Sequence, residues 1–287
     1  MLGQAAALAP SPPLRPALFA MLGLQALVAM ALFAPGVLAP PMGIDTLALG
    51  VFATAVFAVG IPASLWGGVL AARLGSFRVA SLCAGAVAAA MILAGTAPGI
   101  LALALCGAVV GLAFGPETPA SSALLGRLAG EAERPFVFSV RQTGNQLGAM
   151  LGSLALPALA AQADPRLGYA LVAAIGLLAI LGFERLRPAY DSLTRSRAAA
   201  VQVGPALAML RREPALGRLA LASVPYSAMQ LALNAFFVSF AVQDLGLGHV
   251  AAGVALATAQ GGGLLGRLGW GVVATRWATS RQVVAGL

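Results

Sequence analysis

The sequence predicts an all-α polytopic membrane protein. Of its 287 residues, 60% are hydrophobic and only 9% charged, a composition that fits lipid as solvent better than a soluble core. The charges are clustered, and the uncharged stretches between clusters are each long enough for one span of about 20 residues. No ten-residue alternation of apolar and polar side chains appears, so the spans are expected to be helices, which satisfy their backbone groups internally.

Eight spans follow from the charge gaps. The first, 17–39, runs from Arg15 toward Asp45 with Gln25 as its one polar side chain. The second, 46–70, ends before Arg73. A third and fourth, 79–97 and 99–125, share one long gap split at "GTAPG", and the fourth carries Glu117. The fifth, 135–160, lies between Arg134 and Asp164 and carries Arg141 and Asn145. The sixth, 167–186, lies between Arg166 and Arg187. The seventh and eighth, 218–242 and 250–273, flank "QDLGLG", and a ninth begins at Val283. Spans one to six form an N-terminal unit (1–186), a basic linker occupies 187–217, and 218–287 opens a second unit.

All 17 basic residues are arginine, and the net charge is +8. With the N-terminus in the cytoplasm, every arginine falls on the inner side except Arg166 in an outer loop and Arg141 and Arg267 within helices. That distribution is the positive-inside pattern and speaks for topology rather than for nucleic acid. The first apolar run is an uncleaved helix, since more spans and no exported domain follow it. The expected location is a bacterial inner membrane, multi-pass, with the lipid bilayer as the surrounding partner.

Several chemistries are excluded. Without lysine there is no P-loop of the usual kind, no Schiff base and no lysine nucleophile. The single histidine, His249, lies in a loop without a companion ligand or nucleophile. Cys83 and Cys106 lie about 10 Å apart in depth and read as packing residues. No enzyme, metal or cofactor is expected.

The chain repeats itself. At a constant offset of 203, "GGVLAARLGSFR" matches "WGVVATRWATSR", aligning Gly68 with Gly271, Arg73 with Arg276 and Arg78 with Arg281. The same offset joins Gly43 to Gly246, Gly50 to Gly253 and Val51 to Val254. Span 2 thus maps onto span 8 in the same orientation, as in parallel repeats of six helices.

On these residues the chain resembles the major facilitator superfamily, which carries a loop of the form G-x-L-A-D-R-x-G-R-R after helix 2 and a weaker copy after helix 8. The resemblance implies a six-helix N-terminal half, a cytoplasmic linker and the start of a parallel-repeat second half, with helices 5 and 8 meeting across the halves. It implies a gating loop at Gly68, Arg73, Gly75 and Arg78, echoed by Gly271, Arg276 and Arg281. The family's aspartate is Ala72 in the first copy and Thr275 in the second. The repeat length places a final helix end near 389, so the chain reads as truncated after helix 8.

Polar side chains in lipid must find partners or line a water path. Depth counting places Gln25, Asn145, Gln230 and Gln260 near the midplane, and Tyr226, Gln230 and Asn234 recur at four-residue spacing. They are candidates for a substrate site or for interhelical hydrogen bonds that only hold the bundle. Glu117 and Arg141 are the oppositely charged pair inside spans. They suit a structural ion pair, or an anion-holding Arg141 beside a proton-carrying Glu117. Glycines at four-residue spacing, Gly107, Gly111 and Gly115, then Gly144, Gly148 and Gly152, with Gly262 and Gly266 in span 8, predict close helix packing.

The expected function is secondary active transport of a small organic solute by alternating access, coupled to protons, by a protein that is monomeric when full length. The alternative is a truncated, transport-incompetent membrane protein that acts as a binding or interaction component, or a gene fragment.

Overall fold

The computed structural model describes residues 12–97, 99–162, 164–195, 208 and 212–276. Eight helices follow in chain order: α1 (Leu14–Met42), α2 (Thr46–Leu74), α3 (Ser76–Thr96), α4 (Ile100–Leu128), α5 (Arg134–Gln162), α6 (Arg166–Thr194), α7 (Pro214–Gln243) and α8 (His249–Arg276). No strand occurs among the described residues. Six of the helices, α1 to α4, α6 and α7, are long and apolar enough to cross a membrane. The other two, α5 and α8, are as long, at 29 and 28 residues, but carry more polar side chains.

Turn chemistry explains most of the breaks. Gly43, at φ 65°, closes α1, and Asp45 then caps α2 by accepting from the Ala48 amide at 2.7 Å. Gly75, at φ 100°, is the single residue between α2 and α3, a conformation that side chains with a Cβ avoid. Asp164 accepts from the Arg166 amide at 2.8 Å where α6 starts, and Pro214 opens α7, where its missing N–H costs nothing.

Two boundaries differ from the sequence reading. The linker expected over 187–217 gives up its first part to α6, which continues to Thr194. Packing holds this extension: Tyr190 is buried against Phe77, with ring centroids 5.2 Å apart, and its hydroxyl donates to the Pro13 carbonyl at 2.7 Å. The second is α7, which begins at Pro214 rather than at 218. The ninth segment lies outside the described residues.

Helices α1 to α6 pack chiefly as three pairs, α1 with α5, α2 with α4 and α3 with α6. Glycine sets two of these contacts. A Cβ on Gly111 or Gly115 would stand 2.5 Å from the Val56 or Gly60 carbonyl oxygen, so the α4 stripe lies on the backbone of α2. The α5 stripe lies on α1 in the same way, Gly144 against the Leu22 carbonyl and Gly148 against that of Ala26. Close approach of this kind replaces hydrophobic driving force in lipid.

Two contacts join this unit to α7 and α8. Gly36 of α1 faces the Ala235 carbonyl, and Gly253 of α8 faces the Ser153 carbonyl and Pro157 of α5. Both lie toward the end of the bundle opposite the arginine-rich end, whereas α7 is exposed over almost all of 214–229. The expectation that Gly262 and Gly266 pack closely is corrected: nothing approaches either within 4 Å, because both turn away from α5.

Candidate functional site

A polar seam crosses the bundle at one depth. Counting 1.5 Å per residue from the arginine-rich helix ends, Gln25, Glu117, Arg141 and Arg267 fall roughly 10–17 Å inside. Glu117 on α4 and Arg141 on α5 form an ion pair at 3.2 Å, and each side chain is only 2–3% exposed. The carboxylate is further held by the hydroxyls of Thr118, at 2.8 Å, and Ser121, at 3.3 Å. One turn of α4 therefore supplies the acid and both of its hydroxyl donors.

The Arg141 guanidinium also reaches along its own helix. Its Nη2 donates to Gln142 Oε1 at 2.7 Å, and the Gln25 amide of α1 donates to the same oxygen at 3.4 Å. Two buried atoms in this cluster have no partner, Arg141 Nε and Gln25 Oε1. An unpaired buried polar atom costs about 1–3 kcal/mol, and both atoms are closed off from solvent among the described residues.

A second glutamine carries the seam to α8. With its carboxamide oriented to satisfy both ends, Gln146 donates to the Gln142 carbonyl at 3.2 Å. Its oxygen then accepts from Arg267 Nε at 3.3 Å and Nη2 at 2.9 Å. Gln142 and Gln146, four residues apart on α5, thus join α1 to α8. The polar side chains Arg141, Thr143, Gln146 and Ser153 of α5 are buried in the bundle.

The other sequence candidates separate from this seam. Asn145 is half-buried and lies between the two glutamines in the helix sequence. Asn234 and Gln260 are buried and hydrogen-bond to each other, and Asn234 also donates to the Gln230 carbonyl at 2.8 Å. They tie α7 to α8. Tyr226 is 69% exposed and has no hydrogen bond to the seam among the described residues. A small recess between α1, α2 and α7, lined by Leu32, Phe52, Leu231 and Ala235 among others, has only apolar side chains in its lining.

At the arginine-rich end, the loop motif is held by residues that sequence reasoning did not single out. Asp191 of α6 accepts from the Phe77 amide at 2.7 Å and the Arg78 amide at 3.3 Å, and Thr194 accepts from the Ser76 amide at 3.1 Å. A carboxylate thus caps the positive N-terminus of α3, but it comes from a distant helix and not from the loop itself. Arg78 pairs with Glu184 at 3.1 Å, and Arg73 is exposed in the last turn of α2. Gly67, rather than the motif's Gly68, is the close contact to α4, at Pro116 and Pro119. Gly271 and Arg276 fall on α8, whereas the Arg276 side chain and all of Arg281 lie outside the described residues.

The sequence missed Gln142, Gln146, Arg267 and Asp191. A helical-phase signal existed for the glutamines, because Gln142 and Gln146 repeat at i, i+4 beside Arg141; depth alone selected Asn145. No local signal exists for Asp191, whose partners are more than a hundred residues away in sequence.

Long apolar helices around a buried ionic seam define a polytopic membrane protein that holds polar chemistry at lipid depth. The sequence profile described as Major Facilitator Superfamily matches residues 16–287, and the chain belongs to that family of membrane transporters. The fold is similar to a bacterial homologue of the human lysosomal transporter Spinster, solved in an inward-facing and occupied conformation. The TM-score is 0.69 at 18% identity, over 94% of this chain and 63% of that one. It is also similar to a peptide transporter, POT, in complex with sulfate, with TM-score 0.51 and 21% identity over 76% of this chain and 46% of that one. The chain thus spans about half to two-thirds of the length of these solved structures. No curated protein matches its sequence.

Proposed function

We propose that the protein acts in secondary active transport of a small organic solute across a bacterial inner membrane, by alternating access and coupled to protons. The N-terminus is placed in the cytoplasm on the support of the arginine distribution. The observation that carries this reading is the Glu117–Arg141 pair with its unpaired neighbours. Glu117 is the one buried acid in the middle third of a helix, and its ionised form holds Arg141 Nη1. A proton taken up on the carboxylate removes that acceptor's charge and frees the guanidinium for a solute. Arg141 Nε and Gln25 Oε1 are buried beside it without a hydrogen-bond partner among the described residues. The contacts at Gly36 and Gly253 give the two units a closed end, and the exposed stretch of α7 gives them an open one.

The test is flux. The reconstituted protein, in liposomes with a trapped pH dye, is offered labelled carboxylic acids under an imposed pH gradient. Uphill accumulation is expected in the parent, whereas Glu117→Gln should exchange solute downhill without accumulating it. Equal uphill accumulation in both would overturn the role of Glu117.

A further inference from the structure

We propose that Arg267 of α8 is an anion-binding residue, and that the ligand it takes carries an oxyanion, a carboxylate or a phosphate. As an account of the solute, this rests on the transport reading above; as a binding site, it stands on the local geometry.

Arg267 lies nine residues before Arg276, the last described residue of α8, roughly 13 Å along the helix axis. It is half-buried, and its Nε and Nη2 are taken up by one carboxamide oxygen, that of Gln146. An amide oxygen orients a guanidinium but does not neutralise it. All nine acids of the chain fall within the described residues, and none forms an ion pair with Arg267. Glu117 is committed to Arg141, Glu184 to Arg78 and Arg187, and Asp191 to the start of α3. The seam therefore holds one acid and two arginines, and its surplus of one positive charge sits on Arg267.

The open edge of that guanidinium has the shape of an oxyanion site. Five N–H groups in a planar fork leave Nη1 and the second hydrogen of Nη2 for a bidentate partner. Gln146 is itself braced by the Gln142 carbonyl, so the fork is held from behind and not by a mobile side chain. Arg267 belongs to the second unit and Gln146 to the first, so the contact that orients the fork bridges the two. A carboxylate or phosphate can come from a soluble solute or from a lipid headgroup. The inward contact with α5, away from the helix end, favours the soluble source over a side chain that snorkels to the surface.

The experiment separates these sources. The 287-residue protein is placed in nanodiscs of phosphatidylcholine alone, and succinate, sulfate and phosphate are titrated with choline chloride as control, reading calorimetric binding and the thermal unfolding midpoint. Saturable binding of at least one oxyanion is expected, weakened about tenfold or more in Arg267→Gln, as for loss of a bidentate charged contact. Arg267→Lys, which keeps the charge but not the fork, should fall between. The anion-free midpoint of each variant reports whether it folds. Equal binding in parent and Arg267→Gln, no binding in either, or stabilisation seen only when phosphatidylglycerol is added to the discs would each overturn the proposal. Such a failure leaves the proton-coupled reading intact, because that depends on Glu117 under a gradient. Lost coupling with retained anion binding would do the reverse.

Discussion

Replacing Glu117 by glutamine keeps the shape of the side chain and removes its charge, leaving Arg141 at 2% exposure without a counter-ion. The attraction being removed is large. Unit charges in contact at 3.2 Å attract by roughly 5 kcal/mol at an effective dielectric of 20. Desolvation offsets most of this in the intact pair, so the pair itself adds little net stability, but breaking it costs about 3–5 kcal/mol because the survivor stays buried. Arg141→Gln should be as damaging, since it strands the carboxylate with only the Thr118 and Ser121 hydroxyls. The double variant should lose far less than the sum, leaving a coupling of at least about 2 kcal/mol. Unfolding in mixed micelles titrated with sodium dodecyl sulfate measures all four corners of the cycle. Single losses below about 1 kcal/mol that add within about 0.5 kcal/mol would refute a desolvated pair.

Three further outcomes follow from the packing. Asp191→Ala should cost about 0.5–2 kcal/mol as a lost helix cap and speed hydrogen exchange at the Phe77 and Arg78 amides; unchanged exchange at Phe77 would rule the cap out. Gly148→Ala should destabilise by about 1–3 kcal/mol as overpacking, since its Cβ would stand 2.8 Å from the Ala26 carbonyl carbon. Gly23→Ala, with nothing within 4 Å, should be neutral or slightly stabilising by the same denaturant midpoint.

The spans were legible because charge is excluded from lipid, so the gaps around Arg15, Asp45, Arg73, Arg78 and Arg127 mark the breaks directly. The 203-residue echo of the Gly68–Arg78 loop was legible because a repeat is a property of sequence. The site was only half legible. Glu117 and Arg141 stand out as charges in apolar runs, and the structure brings them together. Which amides join them depends on helical rotation, which depth counting ignores; hence Asn145 was selected where Gln142 and Gln146 make the links. Asn234 and Gln260 satisfy each other, a pairing between helices that a residue list cannot show. The cap on α3 was illegible for the same reason: its carboxylate is Asp191, supplied through the fold from the far end of α6.

The bond between Gln25 and Gln142 also has a consequence for biogenesis. The two residues are 117 positions apart, and at about 5–20 residues per second of synthesis roughly 6–23 s separate their emergence. During that interval α1 is complete while its partner α5 does not yet exist, and the groove that will receive Gly144 and Gly148 is open. Helix α1 must therefore wait, the amide of Gln25 without this partner, for α5 to arrive.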